Sequence, residues 1–117
     1  MAKLNSNHKP ELTEAQLKRQ VEDFLAFGVN QGRWYADRLN SGEFIEVRGK
    51  TRRRIKGCRK GTADFFVIRN SRTTFIETKR KQGRISPEQR AFRILVEIQG
   101  ADYLIIRSLE ELIEILK

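Results

Sequence analysis

With 117 residues, 38% hydrophobic and 33% charged, the chain is large enough for one two-layer core, too small for two, and composed as a soluble globular domain with a heavily charged surface. Its 24 Lys and Arg against 15 Asp and Glu give a formal charge of +9, which favours a polyanionic partner, nucleic acid first and an anionic membrane second. No apolar run approaches the roughly 18 residues that span a bilayer, Met1-Ala2-Lys3-Leu4-Asn5 opens no signal peptide, and the single Cys58 excludes an internal disulfide and a multi-thiolate zinc site, so a cytoplasmic protein is expected.

Residues 1–12 read as a flexible polar tail, with the lone His8 solvated, and 13–117 as the single domain. Thr13 suits a helix N-cap, Gln16 completes a capping box and Leu12 can staple onto Leu17. The stripe Leu17, Val21, Phe24, Leu25 has the helical period, Gly28 is expected to stop it, and the helix should lie on a sheet. Arg33 to Asn40, with Trp34, Tyr35 and Leu39, is open between strand and short helix, and Asn40-Ser41-Gly42 is a turn. Phe44-Ile45-Glu46-Val47 alternates as a strand, and Lys50 to Lys60 is a basic arm, either hairpin or mobile loop.

Gly57 and Gly61 punctuate the approach to Asp64-Phe65-Phe66-Val67-Ile68, whose unbroken apolar run fits a strand covered on both faces. Arg69-Asn70-Ser71-Arg72 turns the chain back, making Thr74 to Lys79 the hairpin partner of that strand. After the loop Gln82-Gly83-Arg84, Ser86-Pro87-Glu88-Gln89 carries a second capping signature, and Phe92, Leu95 and Val96 form a core stripe ending at Gly100. Tyr103 to Ile106 is a strand, and Ser108 with Glu111 caps a last helix with Leu109, Leu112, Ile113 and Leu116 on one side. The result is an α/β domain, a mixed sheet flanked by helices, in the order helix, strand, strand, strand, helix, strand, helix.

Within this pattern, Asp64 and the run Glu77-Thr78-Lys79 place charges among strand formers, where they are normally avoided. Alternation puts Glu77 and Lys79 on one side of the sheet and Thr78 on the other. If the two strands are neighbours, two carboxylates and an ammonium converge. Crowded carboxylates repel unless a proton or a cation intervenes, and a hard divalent ion with oxygen ligands is the usual solution. The structural alternative is a buried ion pair with Lys79 and no metal, which gains little once desolvation is counted. Arg48, Lys50, Arg52, Arg53, Arg54, Lys56, Arg59 and Lys60 form a stretch without an acid that runs into the Asp64 strand. Such a run is often only a solvated face; its position favours a phosphate-gripping arm, extended by Arg80, Lys81 and Arg84. No recognition-helix pattern occurs, so binding should follow DNA shape more than base sequence.

An N-terminal helix bearing an acid, Gly61-Thr62-Ala63-Asp64, Phe75-Ile76-Glu77-Thr78-Lys79, Ser86-Pro87-Glu88-Gln89 and Ile105-Ile106-Arg107-Ser108-Leu109-Glu110-Glu111 together resemble the virus-type replication-repair nuclease (VRR-NUC) family of the PD-(D/E)XK superfamily. Ala63 stands where the superfamily pattern has proline, a residue that shapes backbone and carries no reactive group. The resemblance implies a restriction-endonuclease-like fold and a DNA endonuclease, and its short stand-alone phage members imply a homodimer acting on branched DNA such as four-way junctions. Asp64 and Glu77 would hold Mg²⁺ or Mn²⁺ with the backbone carbonyl of Thr78, and Lys79 would orient the attacking water or stabilise charge on the phosphate. The family pattern adds Glu14, reaching the site through a water or a second ion, and Gln89; each also has a purely helix-terminal explanation. Two sites related by a two-fold axis would suit a symmetric junction, with the last helix or Trp34-Tyr35 as the contact. A nuclease for flaps, nicks or linear duplex, and a basic DNA-binding protein without catalysis, stand as rivals. No small-molecule cofactor and no membrane partner are expected.

Overall fold

The computed structural model describes residues 11–117, and most of the expected tail, His8 included, lies outside them. Glu11, just inside, pairs with Arg80 at 3.6 Å. The first helix, α1 (Glu14–Asn30), begins with the capping box: the Gln16 N–H donates to Thr13 Oγ1 at 3.1 Å and the Thr13 N–H to Gln16 Oε1 at 2.9 Å. Gly28 does not stop it. A Cβ there would lie 2.1 Å from Trp34 Cζ2, so this glycine is a notch in the helix that admits the indole, whose Nε1 donates to the Leu25 carbonyl at 2.9 Å.

The remaining elements are β1 (Tyr35–Arg38), β2 (Glu43–Arg48), β3 (Thr51–Lys56), β4 (Phe65–Arg69), β5 (Arg72–Thr78), α2 (Pro87–Ile98), β6 (Asp102–Ile106) and α3 (Leu109–Ile115). The class is the expected α/β with a mixed, helix-flanked sheet, while the expected order helix, strand, strand, strand, helix, strand, helix gains two strands, β1 and β3. The main sheet is four-stranded, in the order β1-β4-β5-β6, with β5 and β6 parallel across the α2 crossover and the other pairs antiparallel. Asn70 and Ser71 both take positive φ, 52° and 64°, the geometry of a tight hairpin turn matched to strand twist. The β2 strand does not join this sheet; among the described residues it pairs only with β3, in a separate ribbon.

Alternation divides the sheet into two faces. Phe65, Val67, Ile76 and Ile106 meet Leu17, Val21 and Leu25 of α1 and Leu112 and Leu116 at the chain's end, forming the core. On the other face α2 is held by Phe92, whose ring meets Phe75 edge-on at 5.1 Å and Tyr103 at 6.2 Å. The expected inward stripe of α2 is only partly realised: Phe92 and Val96 are half-buried, while Leu95 is 61% exposed. Ile113 of α3 is likewise exposed, and Trp34 is 6% exposed, too buried to form the surface contact expected of it. No helix among the described residues is long and apolar enough to cross a membrane.

Candidate active site at the end of the central strands

The C-terminal end of β5 is buried, Glu77 being 3% exposed and Thr78 fully covered. Asp64 sits just before β4, its backbone carbonyl accepting from the Leu39 N–H at 2.7 Å, which extends the β1 pairing by one bond. Its carboxylate reaches β5: Oδ2 accepts from the Thr78 N–H at 2.8 Å and from the Thr78 hydroxyl at 2.7 Å. Thr78 therefore does point away from Glu77, and what it meets there is the other acid. The sequence reading gave Thr78 a carbonyl role; the geometry adds two donors that fix Asp64.

The second oxygen of Asp64, Oδ1, lies 3.3 Å from Lys18 Nζ. Sequence reasoning missed Lys18. The available signal was its spacing, four residues after Glu14 on the same side of α1. Glu14 and Lys18 line one small cavity, but among the described residues Glu14 makes no hydrogen bond or ion pair with Asp64 or Glu77.

Glu77 projects towards α2, where Gln89 Nε2 donates to its Oε2 at 3.1 Å, and Lys79 Nζ lies 3.8 Å from the same oxygen. Its other oxygen, Oε1, is buried with no hydrogen-bond partner among the described residues. Burial, then the negative charge of Asp64, pushes the Glu77 pKa from 4.5 up to about 8, and Lys79 and Lys18 oppose the shift. Without a cation, this site keeps a proton at neutral pH.

That arrangement suits a hard metal ion. A buried carboxylate oxygen without a donor is costly until a proton or a cation takes it, and every donor at hand is oxygen. Glu77 Oε1 is the carboxylate oxygen without a donor among the described residues, and Asp64 Oδ1 faces the Lys18 ammonium at 3.3 Å. Among the described residues no cluster of three His, Cys, Asp or Glu side chains assembles, which leaves the other ligand positions to a backbone carbonyl, water and phosphate.

The basic residues fall into two groups. Arg48, Lys50, Arg52, Arg53, Arg54 and Lys56 are exposed along the β2–β3 ribbon, with Arg48 paired to Glu46, and Arg59 and Lys60 are exposed on the return towards Asp64. Arg80, Lys81 and Arg84 are exposed on the loop after Lys79. That loop is pinned by Arg107, whose Nη1 donates to the carbonyls of Arg80 and Gly83, each at 2.7 Å. Arg107 was quoted in the sequence pattern, but its clamping role was not legible there, because it depends on β6 ending beside β5.

The VRR-NUC domain family matches residues 46–109, more than half of the chain, from within β2 to the start of α3. No curated protein matches the sequence significantly.

Proposed function

Because this chain belongs to the VRR-NUC family, and so is a nuclease of the PD-(D/E)XK type acting on DNA, we propose that the Asp64–Glu77 cluster is its catalytic centre, completed by Mg²⁺ or Mn²⁺. We further propose that it cuts branched DNA, four-way junctions included, as a homodimer inside the cell. The observation that carries the catalytic reading is the unpartnered, buried Glu77 Oε1 beside the Asp64 carboxylate.

A divalent ion held by Asp64, Glu77 and the Thr78 carbonyl would polarise the scissile phosphate and lower the pKa of a water. The chain's own groups prepare that place. Thr78 fixes Asp64 from the core side, and Gln89 fixes Glu77 from α2. Lys79, a compact cation next to Glu77, is placed to stabilise charge developing on the phosphate. Lys18 neutralises Asp64. Glu14, one turn before Lys18, would act through water. The ribbon and the Arg80–Arg84 loop supply the cationic path for the phosphate backbone. Exposed Ile94, Leu95 and Ile98 on α2 support an apolar contact between two copies.

The test compares wild type and Asp64→Ala on labelled junction, flap, nicked and linear DNA with Mg²⁺. Cutting lost in the variant while binding persists supports the assignment; equal cutting by both proteins refutes it. Preference for the junction over linear duplex decides the substrate.

A further inference from the structure

Among the described residues the β2–β3 ribbon pairs with no other strand, and all of β3 is exposed. A lone two-stranded ribbon is marginally stable in water, so this one is suited to lie against a ligand.

Its register defines what that ligand must offer. Ile45 lies opposite Arg54 and Val47 opposite Arg52, so one face carries an apolar row on β2, 65% and 59% exposed at Ile45 and Val47, beside a row of arginines on β3. The floor of a DNA groove presents base edges and thymine methyls, and its walls are phosphates, which is the complementary pattern. The minor groove, about 6 Å wide, is too narrow for two strands about 4.8 Å apart with their side chains; the major groove, about 12 Å wide, admits a ribbon.

The root of the ribbon ties it to the candidate active site. The Cys58 N–H donates to the Asn40 carbonyl at 2.6 Å, Ser41 and Cys58 form a bridge, and Leu39 is bonded to the backbone of Asp64. Whatever the ribbon grips is therefore continuous with what the site cuts, which favours DNA over a membrane or a protein. Six residues per strand reach about 20 Å, or about six base pairs. From this geometry we propose that the β2–β3 ribbon is a finger that enters the major groove of duplex DNA about six base pairs from the cleaved bond, making a double-stranded flank part of the substrate. The proposal rests on the nuclease reading above.

The experiment uses the full chain and the double variant Ile45→Ser/Val47→Ser, which alters only exposed side chains. Without metal, wild type is expected to shield guanine N7 atoms from dimethyl sulfate on the flank of a junction arm. The variant is expected to lose that shielding and to bind a duplex of about 20 base pairs about tenfold more weakly, with single-strand affinity unchanged. With Mg²⁺, its KM rises and its kcat holds. Unchanged N7 shielding and duplex affinity in the variant overturn the finger even where both proteins cut DNA. A change confined to sedimentation mass, or to binding of anionic vesicles, also overturns it and makes the ribbon a contact between copies or a membrane anchor. Absence of cutting by wild type on any DNA refutes the nuclease reading instead.

Discussion

Gln89 serves two partners with one amide: its Oε1 accepts from the Ser86 N–H at 2.8 Å, closing the cap of α2, while its Nε2 donates to Glu77 Oε2 at 3.1 Å. The helix-terminal and site-directed explanations of this residue are therefore not exclusive. Gln89→Glu keeps an acceptor for Ser86 but sets a carboxylate against Glu77. Cleavage is expected to fall at least tenfold, or about 1.4 kcal/mol, with the circular dichroism spectrum unchanged. A variant as active as wild type would make Gln89 a cap alone.

Glu77 makes the metal-free protein sensitive to alkali. Its pKa is 4.5 in the unfolded reference and about 8 when folded, so the native state retains a proton that the unfolded chain releases. The associated stability is fully present below about pH 4.5, declines as pH rises, and is lost above about pH 8. Thermal melts in a chelator from about pH 5 to about pH 9 are expected to show a falling Tm in wild type and a much flatter profile in Glu77→Gln.

Lys18 competes with any cation for Asp64. Both side chains are partly exposed, so the pair is weak, and Lys18→Met is expected to tighten Mn²⁺ binding by only a few fold. Calorimetric titration of Mn²⁺ into the two proteins measures this. Weaker binding in the variant would mean that Lys18 orients Asp64 for the metal and does not compete with it.

Replacing Arg52, Arg53 and Arg54 together by Ala removes three cations from the ribbon. The slope of log K against log salt for duplex binding is expected to become shallower by roughly two to three, at about 0.9 per lost phosphate contact. An unchanged slope would take these three residues off the phosphates.

Gly28→Ala brings a methyl into the Trp34 ring. Relief requires the indole to leave its bond with the Leu25 carbonyl, and a loss of about 2 kcal/mol is expected in urea unfolding.

The parts of this molecule that the sequence announced are those governed by short-range rules. Thr13 with Gln16 and Ser86 with Gln89 signal their caps because both partners lie within one turn, and both boxes form. The hairpin at Asn70-Ser71 and the meeting of Asp64 with Glu77 follow from two apolar runs around a tight turn. What was hidden depends on distant partners. The β3 strand is built on three consecutive arginines, which carry no alternation to read, and it becomes a strand by pairing with β2. Gly28 gave the ordinary signal of a helix end, and only the arrival of Trp34 turns it into a packing notch. Lys18 went unnoticed because its partner Asp64 is distant in sequence and is brought beside it only by the sheet.

The closed neck at Ser41 and Cys58 separates two properties of the molecule. Since the polypeptide departs and returns through adjacent points, residues 42–57 form an appendage whose removal would leave neighbouring ends to be joined by a short splice. A longer, shorter or foreign hairpin grafted there would leave the backbone that carries the carboxylates in place, so the length and sequence of this appendage are free to diversify independently of the candidate site.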